Sequence, residues 1–144
     1  MYFAPERIDE LTETPDLSSA REPLRLNMSR LRAINSYGIR NMIKMVREWG
    51  SRDLEFMECP PVFVDSVNVV RSLLGTPPKP ARVTSFAIPY YCPANDKTYD
   101  IMVQASEIDI ADSQPMIPEP ACDECDGELE PDCSLEEYLL FLVD

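Results

Sequence analysis

One segment in the first half of the chain joins an apolar strand end, a short polar turn and an amphipathic helix without interruption. The turn contains Asn35 and Ser36, either of which can accept hydrogen bonds from the N–H groups that open a helix. After it, apolar residues recur at the spacing of one helical face: Ile39, Met42, Ile43, Val46 and Trp49. Gly50 follows at a position typical of a helix end. We therefore predict a helix from about residue 36 to residue 49 that buries Ile39, Ile43 and Val46 against a sheet.

Two strand patterns and a second helix pattern surround this segment. Residues 24–28 alternate between apolar and polar side chains, and residues 54–59 form another short strand-like run. Pro61 suits the first turn of a helix, and the apolar stripe after it ends at Gly75. The order strand, helix, strand, helix predicts parallel strands joined by right-handed crossovers, with the helices packed on the sheet. The predicted fold class is therefore α/β.

A change in charge and a run of prolines divide the chain. Residues 98–144 hold 14 of the 26 acidic residues and no Lys or Arg, whereas the first 97 residues are nearly neutral. Three prolines between the halves predict a stiff connection, because each fixes φ and removes a backbone donor. We predict an α/β domain at residues 1–76, a linker at residues 77–81 and an acidic domain at residues 82–144.

The pattern of the acidic half is typical of a small β-rich domain. Two β-rich runs within residues 83–103 flank a central turn and predict a hairpin. Residues 104–120 are polar, acidic and proline-bearing, which predicts a long loop. A second tight turn follows at residues 122–127. Ser134 and Glu137 are then spaced to form a capping box at the start of a short helix.

The first domain resembles a STAS domain, the module of anti-sigma factor antagonists and sulfate transporter tails. The similar features are the strand at residues 24–28, the polar turn with its helix, and the strand with its Pro-Pro helix start at residues 54–61. In the antagonists a partner kinase phosphorylates a serine of this turn. Ser36 matches that serine, Gly38 the glycine of the motif, and Asn35 stands where the family has Asp. The resemblance implies a STAS-like mixed or parallel sheet with helices packed on it, and Ser36 as phospho-acceptor; the alternative is that Ser36 serves only as a helix cap.

The second domain resembles a rubredoxin-like zinc ribbon, in which two Cys-x-x-Cys knuckles hold the metal. Cys122 and Cys125 match a complete knuckle. The other knuckle keeps Cys92 but has Asn95 in place of its second cysteine. The resemblance thus implies a small ribbon-like β domain whose set of metal ligands, Cys92, Cys122 and Cys125, is incomplete.

Three cysteines fall one short of the four ligands of a structural zinc site. The chain has no histidine, so Asp96, Cys133 or water would have to complete a tetrahedron around zinc. The alternative is a metal-free domain held by its own core, with the cysteines as small buried residues or an opportunistic disulfide. We expect the metal-free form. Its predicted core consists of Phe86, Ile88, Tyr90, Tyr91, Tyr99, Ile101, Tyr138 and Phe141.

Composition argues against several classes of function. Without histidine the chain lacks the commonest general base, and with four glycines it has no Gly-rich phosphate-binding loop, so we expect no enzymatic activity. The formal net charge of -13 argues against a nucleic-acid partner. The sequence has no apolar run long enough for membrane insertion. The first residues lack the pattern of a signal peptide, which predicts a cytoplasmic location.

These observations favour a non-enzymatic protein–protein interaction module in bacterial signalling or scaffolding. The expected partner is a protein, either a regulatory kinase or a component of an assembly. One alternative is a structural component that uses the STAS-like domain for permanent docking. Another is a thiol or metal redox protein that uses Cys92, Cys122 and Cys125.

Overall fold

The computed structural model describes residues 2–13, 15–17, 19–75, 81–109 and 117–142. The fold is α/β, as predicted, with both parallel and antiparallel sheets. The strands are β1 (Tyr2–Phe3), β2 (Arg7–Ile8), β3 (Leu24–Asn27), β4 (Ala33–Ile34), β5 (Leu54–Met57), β6 (Arg82–Val83), β7 (Ser85–Cys92), β8 (Lys97–Gln104) and β9 (Glu130–Pro131). The α-helices are α1 (Ser36–Trp49), α2 (Pro61–Val69) and α3 (Leu135–Tyr138). Short 3₁₀ turns cover Arg71–Leu74, Ala105–Glu107 and Leu140–Leu142.

A parallel sheet in the order β1-β3-β5-β6 forms the centre of the first segment. Strands β3 and β5 pair in parallel along their whole length, so the predicted parallel arrangement is confirmed. Their alternate residues are buried, as in Leu24 and Leu26 of β3, because one face of the sheet is covered by helices. Helix α2 packs on this face, with the rings of Phe56 and Phe63 5.0 Å apart.

Helix α1 begins at Ser36 and ends at Trp49, as the sequence predicts. The buried face differs from the predicted one, however, since Ile39 and Ile43 are only half-buried. Periodicity gives the spacing of a wide apolar stripe, but it does not say which edge of that stripe turns toward the sheet. The apolar residues that α1 buries are Met42, Met45, Val46 and Trp49.

The first turn of α1 lies directly against strand β2. The backbone N–H of Asn35 donates to the Ile8 carbonyl at 3.2 Å, and β2 pairs in parallel with β4 just before the helix. A Cβ atom at Gly38 would lie 2.2 Å from the Ile8 carbonyl oxygen. Glycine is therefore required at this position because the helix and the strand backbone approach too closely for any side chain.

The two segments on either side of the proline run share a sheet. Strand β6 adds to the edge of β5, with Glu55 opposite Arg82. One cluster of buried residues extends from the parallel sheet into the second segment. Of the predicted linker, residues 77–80 lie outside the described residues and Ala81 is buried. The division into two domains stays a prediction.

Strands β7 and β8 form the predicted hairpin. They pair antiparallel from Ser85 opposite Gln104 to Cys92 opposite Lys97. Strand β9 adds to the other edge of β7. In the predicted loop after β8, Ala105–Glu107 is a 3₁₀ turn and residues 110–116 lie outside the described residues. The hairpin therefore provides one regular sheet beside the parallel one.

Helix α3 packs the end of the chain onto the hairpin and α2. The Tyr138 hydroxyl donates to the Ala87 carbonyl at 2.5 Å, and the Asn68 side chain donates to the Tyr138 carbonyl at 2.8 Å. Ser134 precedes the helix, but its side chain makes no capping hydrogen bond, so the predicted capping box is wrong in that part. Helix α3 has four residues, and its position depends on the buried Tyr138 rather than on its cap.

The predicted aromatic core of the second segment is confirmed in part. Five of its members are buried: Phe86, Ile88, Tyr90, Tyr138 and Phe141. The other three are half-buried: Tyr91, Tyr99 and Ile101. Among the described residues, no helix has both the length and the apolar character needed to cross a membrane.

Candidate functional site

Three cysteine side chains from two separate turns meet at one end of the hairpin. The sulfur atoms of Cys92, Cys122 and Cys125 all lie within 4.8 Å of one another. The Sγ atoms of Cys92 and Cys125 are 3.4 Å apart. Cys92 and Cys122 are buried and Cys125 is exposed. The sequence-predicted set is thus brought together at one accessible point, which we call the cysteine cluster.

The two turns that carry the cysteine cluster have the same backbone geometry. In the first, the N–H of Asp96 donates to the Cys92 carbonyl at 2.8 Å, and Asp96 has φ 58°. In the second, the N–H of Asp126 donates to the Cys122 carbonyl at 2.8 Å, and Asp126 has φ 57°. Asp tolerates this left-handed conformation better than most residues. Within this shared geometry, Asn95 occupies the position in the first turn that Cys125 occupies in the second.

The Asn95 amide lies beside the cysteine cluster and contacts one of its sulfurs. Its Nδ2 atom lies 3.4 Å from Cys122 Sγ and 3.0 Å from the Tyr99 hydroxyl oxygen. Its Oδ1 atom accepts from the Lys97 backbone N–H at 3.0 Å. An amide nitrogen has no lone pair to give a metal ion, because that pair is delocalised into the carbonyl. Asn95 therefore stands at the sequence position of a fourth ligand without acting as one in this orientation.

The hydrogen bonds of the cysteine cluster give the Cys122 and Cys125 thiols different pKa values. Burial tends to raise the pKa of the Cys122 thiol, but hydrogen bonds from the Glu124 backbone and the Tyr99 hydroxyl outweigh it and lower that pKa to about 7. A backbone hydrogen bond from Gly127 would lower the pKa of Cys125, but hydrogen bonds with the neighbouring cysteines outweigh it and raise that pKa to about 11. Cys122 therefore loses its proton before Cys125.

An ion pair holds the two turns together at the surface. Lys97 Nζ lies 3.0 Å from Glu124 Oε2, and this contact lowers the pKa of the Glu124 carboxyl. Both side chains are about half exposed, at 59% and 51%, so water screens the pair and it contributes little to stability. The pair links the first turn to the second beside the cysteine cluster.

Neither predicted protein candidate for a fourth metal ligand joins the cluster. The Oδ1 atom of Asp96 accepts instead from the Tyr91 hydroxyl at 2.6 Å. Within the described residues, the metal-ligating group around these sulfurs contains the three cysteines and does not include Cys133. The donor set therefore fits three corners of a zinc tetrahedron and not the closed four-cysteine site of a regular ribbon.

Ser36, the predicted phospho-acceptor, lies at the start of α1 and far along the chain from the cysteine cluster. The capping hydrogen bond of α1 is made by Asn35, whose side chain accepts from the Gly38 N–H at 2.8 Å. The sequence left Asn35 and Ser36 as alternatives for that role, and the structure assigns it to Asn35. Ser36 itself is exposed. Capping therefore does not account for the serine at this position.

Two exposed apolar side chains belong to the two segments that meet at the start of α1. Tyr37 is 55% exposed and Leu11 is 84% exposed. The Asn35 side chain donates to Glu10 Oε2 at 2.8 Å, which fixes the loop carrying Leu11 beside the first turn of the helix. We call this surface, formed by Glu10, Leu11, Asn35, Ser36 and Tyr37, the α1 corner.

Sequence reasoning found the three cysteines and Ser36 but missed the residues around them. Tyr99, Lys97 and Glu124 reach the cluster only through the pairing of the hairpin with the second turn. One local signal was present, since both turns share the pattern Cys-x-x-x-Asp. That repeat would have indicated that the two turns have the same shape.

Comparisons of the chain with models of protein families, with curated proteins and with solved structures give no match. The function has to be inferred from the chemistry of the α1 corner and of the cysteine cluster.

Proposed function

We propose that the chain is a non-enzymatic protein-interaction module of bacterial signalling or scaffolding, located in the cytoplasm, that docks its partner through the α1 corner. The observation that carries this proposal is the exposed Ser36, followed directly by the exposed Tyr37, in a turn whose cap is already supplied by Asn35. An aromatic and an aliphatic side chain exposed together are typical of a contact surface.

The position of Ser36 also suits a phosphate switch. Ser36 is the first residue of a 14-residue helix, where unpaired N–H groups and the helix dipole favour negative charge. Arg40 lies one turn further on, with its guanidinium carbon 5.7 Å from the centre of the Tyr37 ring. A phosphate would add close to two negative charges beside Glu10. The α1 corner would then change from partly apolar to strongly anionic, which would expel a partner that packs on Tyr37.

The docking surface is tested first by replacing Tyr37 with alanine. We expect at least a ~10-fold loss of affinity for a partner bound through this corner, because exposed aromatic residues supply much of the binding energy of an interface. The measurement is quantitative co-purification of the tagged full chain from the cells that make it. Val69→Ala is the matched control, since Val69 is 82% exposed and belongs to α2. A partner that stays bound to the Tyr37 variant, or leaves both variants equally, would count against the α1 corner.

The phosphate switch is tested by replacing Ser36 with a charged residue and with an uncharged one. We expect Ser36→Asp to keep the fold and to lose a partner that Ser36→Ala retains, because only the first variant places an anion beside Tyr37. Circular dichroism of both variants checks the fold, and the same co-purification measures binding. Equal binding of the partner by the two variants would contradict the phosphate switch and would favour permanent docking in an assembly.

A further inference from the structure

The cysteine cluster belongs to a different part of the molecule from the α1 corner. We infer that Cys92, Cys122 and Cys125 bind a thiophilic metal ion such as Zn²⁺ through three thiolates, and that the fourth coordination position, beside Asn95, is left for a ligand from solution. The two turns have the matching backbone expected of a site with four protein ligands, but only three of the ligands are present.

The backbone of a four-ligand site is retained in both turns. Asp96 and Asp126 have φ 58° and 57°, and each donates to the carbonyl of the cysteine four residues earlier. Because the turns match, the residue at position 95 is aimed at the cluster in the same way as Cys125. The contact of Asn95 Nδ2 with Cys122 Sγ at 3.4 Å agrees with this. What distinguishes this cluster from a four-thiolate site is therefore one side chain.

The sulfur positions are close to those that an ion requires. A zinc ion about 2.3 Å from each sulfur places the sulfurs about 3.8 Å apart in a tetrahedron. Here one pair is at 3.4 Å and no pair exceeds 4.8 Å. Adjustments of about 1 Å or less therefore bring the three sulfurs to bonding distance. Binding forms three metal–sulfur bonds and releases to water the protons that the thiols carry.

Backbone groups of the second turn lie close to two of these sulfurs. Backbone hydrogen bonds from Glu124 and Cys125 reach the Cys122 sulfur, and one from Gly127 reaches the Cys125 sulfur. A Cβ atom at Gly127 would lie 3.3 Å from Cys125 Sγ, so the glycine allows this close approach. Such outer hydrogen bonds orient metal ligands and hold their charge.

The surroundings of the fourth position favour a small external ligand. The Asn95 amide and the Tyr99 hydroxyl lie on that side, 3.4 Å and 3.7 Å from Cys122 Sγ. Both groups can donate hydrogen bonds, so they suit water, hydroxide or another ligand that carries lone pairs. Three protein ligands and one exchangeable ligand are the arrangement of zinc sites that remain reactive.

The experiment uses the full chain, reduced and stripped of metal by a chelator, and titrated with Zn²⁺ against a chromophoric competitor. We expect one ion per chain for the wild type. Asn95→Cys should bind about 100-fold more tightly, because it supplies the fourth thiolate. Cys125→Ser should bind about 100-fold more weakly, because it removes one of three. Asp96→Asn and Cys133→Ser should leave the affinity within about 3-fold of wild type, since neither side chain is in the cluster.

Substitution with Co²⁺ tests the open position directly. Imidazole added to the Co²⁺-loaded wild type should shift the visible absorption bands, whereas the bands of Co²⁺-loaded Asn95→Cys should not move. If Cys125→Ser fails to fold, Asn95→Cys still decides the test, because this variant adds a ligand instead of removing one. Less than half an ion per chain in the wild type, or no gain of affinity in Asn95→Cys, would overturn the inference. If imidazole does not shift the visible absorption bands of the Co²⁺-loaded wild type, the fourth position is closed and the inference is overturned.

Discussion

Replacing Gly38 with alanine is expected to destabilise the chain by about 3 kcal/mol, as forced overpacking does at a site that cannot relax. The expected sign is the opposite of the usual one, because alanine in place of glycine inside a helix normally stabilises by about 1 kcal/mol. Here the new Cβ would lie 2.2 Å from the Ile8 carbonyl oxygen and 2.6 Å from its carbonyl carbon. Relief requires moving β2 away from α1, which breaks the hydrogen bond from Asn35 N–H to that same oxygen.

Thermal and urea unfolding measure this effect. For a chain of this size, 3 kcal/mol corresponds to a fall in melting temperature of roughly 10 °C. Ser36→Ala is the matched control in the same turn, and it should stay within about 0.5 kcal/mol of wild type because Ser36 is exposed. If Gly38→Ala melts at or above the wild-type temperature, the close approach of α1 and β2 is wrong.

Replacing Phe86 with alanine is expected to cost about 3–5 kcal/mol, the range for a large aromatic residue in a packed core. Phe86 is fully buried, and its ring meets that of Phe141 edge-on at 4.9 Å. Its backbone also bridges to that of Cys59, which lies between β5 and α2 in the first segment. Phe86 thus lies where the parallel sheet, the hairpin and the C-terminal turn meet.

Trp49 makes this variant a test of the division into domains. It is the single tryptophan, it is buried in α1, and it lies in the first segment. If the shared core is one cooperative unit, Phe86→Ala should shift the Trp49 fluorescence transition and the circular dichroism transition together. Met102→Ala on β8, where Met102 is 42% exposed, should move neither by more than about 0.5 kcal/mol. An unchanged Trp49 transition in Phe86→Ala would instead establish residues 1–76 and 82–144 as independent domains.

Patterns of neighbouring residues were sufficient to predict helix α1 and the hairpin. Helix α1 could be bounded at both ends because polar residues open it and Gly50, at φ 81°, closes it. The hairpin followed from two β-rich runs around a six-residue turn composition. The two-residue strands β1 and β2 were not specified, because each exists only through pairing with a distant strand. Strand β4, in contrast, coincides with the apolar strand end predicted before the polar turn.

The same division applies to the candidate sites. The sequence identified the three cysteines, the missing fourth ligand and the serine of the turn. It could not choose between Asn35 and Ser36 as the cap, since both residue types are suited to that bond and only backbone geometry selects one. It also offered Asp96 and Cys133 as ligands, and the structure turns Asp96 toward Tyr91 instead.

The sequence by itself determined the apolar periodicity of the elements, the residues that begin and end them, and the kinds of donor atom in the chain. These properties depend on residues within a few positions of one another. The tertiary structure decided which face of α1 is buried, that β6 joins β5 across the prolines, and that Asn95 points its nitrogen at Cys122. These outcomes depend on contacts between residues about 27 positions apart, as in Asn95 with Cys122 and Glu55 with Arg82. Which of them form is settled by packing of the whole chain, because each gains free energy only when the other elements are already in place.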